Sequence, residues 1–444
     1  MTGSLPIGAL LILAVYLAAL AGSWRYPILL AVPFLTSGLV KRWAEQNIPL
    51  FAGVDLTVVT VLVVLVGALF AFRFRRTVPT MPPLLLVLLY VLFTALVVAG
   101  AEIQNASVRR MLLQHVGFNT VALFAPFLLV RRTADLSAHW VSLVAVGVVV
   151  AFGAIIMPPT SAEARSAFLE SNAITTARYC SFALLILATL WPEWTRHAPV
   201  RRAWIVPVVP IALAGMLYSG SRGPMLHLGI TLLVLVVVRA KVAFRQLAVV
   251  LVLAIALVGF YLAFPEDPAL QRVASIASPD ATEASHGYQY RTAAWLLALD
   301  TWSREVWFGH GVGYMEMRLD LQPHSLMLEV LHSFGGVGFL LFFGMVTAAI
   351  GLWLARRTSR AAGRAEWLSM PAPALLLLAL VSSTTAYSLI SARHLLFWVG
   401  LTVVAARLTS REAAGAAGAP VTRAGPSAAR TPAPAPRPRP SSRA

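Results

Sequence analysis

The sequence predicts an all-α polytopic membrane protein of about 12–13 transmembrane helices, with one long outer loop that carries short surface helices. The chain is 59% hydrophobic and 12% charged, whereas a soluble domain carries about 25% charged residues. Apolar runs long enough to cross a bilayer as helices recur from the N-terminus to about residue 408. The runs lack the short alternating segments of an outer-membrane barrel.

The apolar runs lie in thirteen places along the chain. In order they are about 5–22, 26–40, 54–72, 82–100, 113–130, 138–157, 174–192, 203–218, 224–238, 246–264, 325–354, 371–390 and 394–408. The first run lacks the basic n-region of a cleaved signal peptide, and we interpret it as a retained span. Trp24 and Arg25 separate the first two runs, which form either a hairpin or one span plus a surface helix. The side of the N-terminus stays open.

Basic clusters assign the two sides of the membrane. The formal net charge of +17 is concentrated in short clusters between spans and in the tail, which is the positive-inside pattern of a membrane protein and not a nucleic-acid footprint. The clusters expected in the cytoplasm are Arg73–Arg76, Arg131–Arg132, Arg196–Arg202, Arg239–Arg245, Arg356–Arg364 and everything after Arg407. Each pair of clusters brackets two runs, so four segments face outward together: Met157–Thr176, Ser219–Gly223, Pro265–Ser325 and Ser391–His394.

The chain divides into a membrane domain and a tail. Residues 1–410 form the multi-span domain, which includes the outer catalytic loop 265–324. Residues 411–444 are rich in Pro, Ala and Arg, a composition that cannot bury a core, and we expect a disordered cytoplasmic tail. The single cysteine, Cys180, excludes an intrachain disulfide and indicates neither redox chemistry nor a cysteine zinc site.

The stretch from Tyr288 to Gly338 is the long polar insertion between spans, dense in Arg, His, Trp and Gly. Arg291, Trp295 and Trp302 recur at helical spacing, so they share one stripe of a surface helix together with Leu299. The glycines of the sequence WFGHGVGYM have no preceding strand, so they predict tight turns and not a dinucleotide site. Gly335 and Gly338 predict close helix packing.

A helix is expected to begin at the turn that contains Arg222. Ser219, Ser221 and Gly223 surround this arginine, and Pro224 is well suited to a first helical turn. Free amides at a helix start attract anions, and a guanidinium adds a fork that fits phosphate. The alternative is an arginine that only reaches to lipid headgroups. Its outward location favours a functional role, because positive charge is normally kept in the cytoplasm.

His324 precedes a second helix start on the same outer side, with Ser325 as the expected N-cap. A histidine near neutral pKa can accept a proton from an alcohol, which is the task of a general base in glycosyl transfer. The alternative is a histidine that only hydrogen-bonds a loop carbonyl. Arg178 and Arg393 also lie at outer span ends, where they either extend a cationic site or anchor the interface. His227, inside an apolar run, is expected to be packed and hydrogen-bonded.

The order of these motifs resembles the O-antigen ligase and polymerase superfamily. The matching parts are SGSRG at the opening of a span, a loop arginine with Trp295, then FGHGVGY, then HSLMLEVLHSFGGVGFLLFF, together covering about Ser219 to Phe343. The resemblance implies an enzyme of the bacterial inner membrane that moves a glycan from undecaprenyl diphosphate to an acceptor hydroxyl at the periplasmic face, without nucleotide, metal or other cofactor. Arg222, Arg291 and His324 match the functional positions of the family.

These positions imply separate roles for the arginines and the histidine of the site. The two arginines would hold the diphosphate leaving group, and His324 would take the proton of the acceptor. Substrate contacts are expected from residues at the same outer face: Ser219, Ser221, Gly223, Arg178, Trp295 and Arg393. The family often has HN where this chain has His324 and Ser325, and often an acidic residue near Ser333. Glu329, one turn from His324, could orient the imidazole instead.

Four activities remain open within and beyond the superfamily. A ligase would use lipid A core as acceptor, and a polymerase would use a second lipid-linked glycan. Protein O-glycosyltransferases of the family often carry extra C-terminal outer domains, which disfavours that activity here. A polysaccharide transporter predicts charged residues at mid-membrane, whereas the centres of these runs are nearly free of charge. We favour the ligase, with membrane lipids as surroundings and no nucleic-acid partner.

Overall fold

The computed structural model describes residues 7–75, 80–156, 167–197, 199–238, 282–319, 321–356, 363–385, 388–389 and 392–418. Within these ranges the regular elements are helices. The first half contains α1 Ile7–Ser23, α2 Ala31–Asn47, α3 Leu56–Arg75, α4 Leu84–Ala99, α5 Ala106–Leu113, α6 Thr120–Leu129, α7 Thr133–Ile156 and α8 Ala173–His197. The second half contains α9 Pro199–Tyr218, α10 Arg222–Val238, α11 Thr282–Arg304, α12 Tyr314–Arg318, α13 Leu326–Arg356, α14 Gly363–Ser369, α15 Pro371–Ser383 and α16 Arg393–Gly418.

The protein is an all-α polytopic membrane protein, as predicted. Within the described part of the chain, six segments are long and apolar enough to cross a bilayer: Leu56–Arg73, Ala106–Leu129, Thr133–Ile156, Ala173–Trp191, Leu326–Arg356 and Glu366–Ser383. Shorter apolar helices cover Ile7–Ser23, Leu84–Ala99, Val206–Tyr218 and Arg222–Val238. Helices suit the bilayer because each backbone N–H and C=O pairs within its own segment. Leucines such as Leu62, Leu85 and Leu233 are more than half exposed, as expected of side chains that face lipid.

Predicted runs and observed helices coincide over most of the described chain. The run 246–264, the part of the outer loop before Thr282 and the tail after Gly418 lie outside the described residues. The second run is divided into a 3₁₀ turn at Pro27–Leu30 and α2. Residues Ala31 to Ser37 are buried, so this segment packs inside the protein and does not lie on its surface.

Small residues let the central helices approach closely. A Cβ on Gly147 would lie 2.8 Å from the carbonyl oxygen of Tyr179, so α7 and α8 are in near-backbone contact. Gly400 brings α16 against Leu123 of α6 in the same way. Without a hydrophobic driving force between helices in lipid, such close packing supplies much of the association energy.

A π-helical turn, Gln114–Asn119, separates α5 from α6 and interrupts this otherwise apolar segment. The side chain of Asn119 is fully buried, and its Nδ2 donates to the carbonyl oxygen of Leu389, 3.0 Å away. Such turns release backbone and side-chain groups from the regular helical pattern and occur often near functional sites. This turn therefore joins the α5–α6 segment to the connection between α15 and α16.

Candidate functional site

His324 occupies an unusual backbone conformation directly before α13. Its φ is +47°, and among the described non-glycine residues only Leu169 shares a positive φ. A residue in this region carries roughly 1–3 kcal/mol of strain unless its surroundings hold it there. His324 is partly buried and keeps solvent-accessible surface. Ser325 Oγ accepts a hydrogen bond from Leu328 N at 3.4 Å, which confirms the predicted N-cap.

Helix α11 holds the segment that carries His324. Trp295 Nε1 donates to the carbonyl oxygen of Pro323 at 2.8 Å, so the indole is bonded to the residue directly before the histidine. Arg291 lies one turn earlier on the same helix, and its positive charge acts on His324. The structure therefore brings two of the three predicted catalytic residues together. Ala294, Ala298 and Thr301 form the buried face of α11 beside this stripe.

The surroundings of His324 favour a neutral imidazole. Partial burial and the nearby Arg291 guanidinium both lower the pKa of this histidine from its ordinary value, because each disfavours the protonated ring. A neutral ring keeps a nitrogen lone pair available to accept a proton. Glu329 Oε2 accepts a hydrogen bond from Leu389 N at 2.9 Å, and its role in orienting the histidine stays a prediction.

A glycine-rich segment before α12 packs against a kink in α13. Gly335 has φ +62° and ψ −164°, and the helix kinks there. The backbone of residues 306–311 pairs with the break: His310 N donates to His332 O at 3.0 Å, and Gly336 N donates to Val306 O at 2.8 Å. The three glycines of the segment, Gly309, Gly311 and Gly313, all have positive φ, which confirms the predicted tight turns.

A small pocket opens between the starts of α8 and α10 and the end of α15. It is lined by Ile174, Arg178, Ser181, Pro224, His227, Leu378 and Ser382. His227 is buried, and its Nε2 lies 2.8 Å from Thr385 Oγ1. The charge of Arg178 acts on both His227 and Arg393. Arg393 itself lies over the ring of Phe34 at 5.8 Å.

The turn before α10 has the predicted form. Tyr218 ends α9 and Arg222 begins α10, with Gly220 between them at φ +62°. Ser219 Oγ donates to Met216 O at 2.6 Å and accepts from Ser221 N at 3.3 Å. The serine therefore satisfies backbone groups at the turn, and Arg222 enters α10 one turn before the pocket residue His227.

Part of this chain is similar to known proteins. Residues 207–343 match the model of the family described as "O-Antigen ligase". A curated protein named "O-antigen ligase" from Pseudomonas aeruginosa is 28% identical over 200 residues, which cover 43% of this chain and 44% of the relative. The chain is therefore similar to O-antigen ligases over residues 207–343, and its match spans less than half the length of this relative. The matched region runs from α9 into α13 and contains Arg222, Arg291 and His324, whereas Arg178 and Arg393 lie outside it.

The residues expected from this family fall into two groups in the structure. Arg291, Trp295 and His324 are joined through α11 and α13. Arg178 and Arg393 lie near each other at the starts of α8 and α16. Arg222, with its neighbours Ser221 and Gly223, begins α10, whose Pro224 and His227 line the pocket beside Arg178. A role for each of these residues in substrate binding stays a prediction.

Sequence reasoning missed two polar residues of the pocket. Ser181 and Ser382 lie inside apolar runs and line the pocket with His227. Their positions gave no signal, because a serine within a span usually bonds its own helix, as Ser181 also does to Ala177 O at 2.9 Å. His227 was expected to be packed and hydrogen-bonded. It is both, and it also faces the pocket.

Replacement of Trp295 by Phe should slow any reaction that depends on His324 without unfolding the protein. The change removes the donor to Pro323 O and keeps an aromatic ring, and one lost hydrogen bond is worth about 1 kcal/mol. We expect a roughly fivefold fall in kcat, since a change of 1.36 kcal/mol in the activation free energy changes the rate tenfold. Trp302→Phe is the matched control, because it removes an equivalent indole bond to Val306 O, 3.1 Å long, elsewhere on α11. Equal effects of both changes on kcat would contradict a special role for Trp295.

Proposed function

We propose that this protein transfers a glycan from undecaprenyl diphosphate to a hydroxyl of lipid A core at the periplasmic face of the bacterial inner membrane. The observation that carries the proposal is the Arg291–His324 pair, held together by the Trp295–Pro323 hydrogen bond within the family-matched region. The curated relative is named an O-antigen ligase, which supports ligation as the reaction.

The proposed reaction is a displacement at the anomeric carbon of the donor glycan. The acceptor hydroxyl oxygen forms a bond to this carbon, and the bond from the carbon to the diphosphate oxygen breaks. The hydroxyl proton passes to His324, whose lowered pKa keeps the ring neutral before the reaction. The electron pair leaves with undecaprenyl diphosphate, which gains negative charge that nearby guanidinium groups stabilise.

Three arginines beyond the His324 pair are proposed to hold the donor. Arg222 begins α10, where free amides and the helix dipole favour an anion. Arg178 lines the pocket beside His227, and Arg393 begins α16 close to Arg178. A diphosphate suits several guanidinium groups, because each forms paired charge-assisted hydrogen bonds. The reaction needs no metal or nucleotide in this scheme, since the base and the counter-charge both come from side chains.

The proposal is tested by transfer with purified protein in detergent. The donor is an undecaprenyl-diphosphate-linked glycan, and lipid A core or a second lipid-linked glycan is offered as acceptor. We expect product on lipid A core, and we expect Arg291→Ala to lower the rate by about 10²–10³-fold, the usual effect of removing one transition-state donor. Arg304→Ala is the matched control, because this exposed arginine of α11 pairs with Asp300 instead.

Each alternative outcome has a distinct meaning. Extension of the lipid-linked glycan, with no product on lipid A core, would replace the ligase by a polymerase. Product on neither acceptor would reject both activities and favour protein glycosylation or transport. Equal loss in Arg291→Ala and Arg304→Ala would show that the change damages α11 as a whole.

A further inference from the structure

Two described residues of the connection between α15 and α16, Thr385 and Leu389, bond side chains from three other elements. His227 of α10 bonds Thr385 Oγ1 at 2.8 Å. Glu329 of α13 accepts from Leu389 N at 2.9 Å. Asn119 of the π turn donates to Leu389 O at 3.0 Å. Two of these bonds converge on one residue, so both the backbone donor and the backbone acceptor of Leu389 are paired with side chains.

Water cannot readily replace the bonds to Leu389, because this residue is buried. Leu389 is 4% exposed and Asn119 is fully buried. An unpaired backbone group in such surroundings is costly, so the side chains that pair with Leu389 hold it in place. Glu329 and Asn119 come from different helices, so together they define the position of Leu389 in the bundle.

Leu389 leads directly into α16. Ala392 N donates to Leu389 O at 3.3 Å, and Leu396 N donates to Ala392 O at 3.0 Å. These two bonds connect Leu389 with the residue before α16 and with its first turn. Arg393 is the first residue of α16, so Leu389 is bonded to the backbone directly before the residue that carries this guanidinium.

Glu329 belongs to α13, which is the helix that His324 precedes. Glu329 lies in the first turns of α13, and its N donates to Ser325 O at 2.9 Å. Helix α13 thus begins beside the Arg291–His324 pair and reaches across to the connection that positions Arg393. Arg393 in turn lies near Arg178 and its pocket. The bond between Glu329 and Leu389 is therefore a direct link between the two groups of predicted site residues.

We propose that Glu329 is a positioning residue that holds Arg393 in register with His324 through Leu389. The inference rests on the proposed function, in which Arg393 contributes to binding of the lipid diphosphate. The role requires a hydrogen-bond acceptor at this position and not a negative charge. Glutamine can supply the same acceptor through its amide oxygen, whereas leucine has a similar size and cannot.

The test compares Glu329→Gln with Glu329→Leu in the full-length protein in detergent. We measure the Kd of an undecaprenyl-diphosphate-linked glycan, and we expect it to rise about tenfold in Glu329→Leu and less than twofold in Glu329→Gln, since one unmade buried bond is worth about 1.4 kcal/mol. Hydrogen exchange of the peptide that contains Leu389 should be faster in Glu329→Leu and unchanged in Glu329→Gln. Exchange within α7 serves as the control for global unfolding.

Three results would overturn the positioning role. They are an unchanged Kd in Glu329→Leu, an equal weakening in both variants, or faster exchange throughout α7. The Kd measurement is independent of turnover. A wild-type protein that binds the donor and transfers nothing would therefore reject the proposed function, while the difference between the two variants would still decide the role of Glu329.

Discussion

His324→Asn is expected to lower kcat by about 10²–10⁴-fold, the usual contribution of a positioned general base. Asparagine removes the proton acceptor, and it is among the residues that best tolerate a positive φ. The backbone at φ +47° is therefore expected to persist, so that the loss reports chemistry and not folding. The measurement is transfer to lipid A core under single-turnover conditions, together with the thermal midpoint of each protein in detergent.

The pH dependence of transfer provides the control for this variant. Protonated His324 cannot accept a proton, so the rate should fall as pH drops through its pKa. Burial and Arg291 lower that pKa, and the acidic limb of kcat/KM is expected below about pH 6.5, the ordinary value for histidine. Removal of the Arg291 charge should raise the pKa of His324. The acidic limb of the remaining activity should therefore move to higher pH. An unchanged limb in Arg291→Ala, or full activity in His324→Asn, would exclude His324 as the base.

Gly335→Ala is expected to destabilise the protein by about 3–5 kcal/mol, at the upper end of single-residue effects. The glycine has φ +62° and ψ −164°, a conformation that is essentially restricted to glycine. A Cβ there would overlap the backbone of Trp307 and Phe308, which cannot move without losing the Val337 N to Trp307 O bond of 3.2 Å. The measurement is the yield and thermal midpoint of the purified protein.

Gly336→Ala is the matched control for the kink of α13. The adjacent glycine has no positive φ, and a Cβ on it would lie 3.6 Å from Val306 O, at ordinary contact distance. We expect a change within about 0.5 kcal/mol, as for substitutions away from special backbone features. If both variants were equally unstable, the cause would be general helix packing and not the conformation of Gly335.

Local sequence patterns were sufficient for the helices and for the turn chemistry. The length and apolarity of each run predicted α3, α7 and α8, because a spanning segment must satisfy its backbone internally and face lipid or other helices. The N-cap at Ser325 and the turns at Gly309 and Gly311 followed from backbone preferences of those residues. These features depend on neighbours along the chain, which a single sequence contains.

Local sequence patterns did not predict the contacts between segments that are distant along the chain. Nothing in the apolar run around Asn119, or in the isolated Glu329, indicated that both would bond Leu389. The sequence also placed Trp295 on a stripe with Arg291 without showing that its indole bonds Pro323. Such pairs depend on how helices pack, and many packings satisfy the same hydropathy.

The sequence by itself determined that this protein is a helical membrane protein, and the order of its motifs already resembled the family whose model matches residues 207–343. It also determined which residues can accept a proton or bind phosphate, because those properties belong to His324, Arg291 and Arg222 as chemical groups. Only the tertiary structure decided that Arg291 acts on His324, and that Arg178 shares a pocket with His227. The physical reason is that hydropathy fixes which segments enter the membrane, whereas close packing and hydrogen bonds between helices fix which side chains meet.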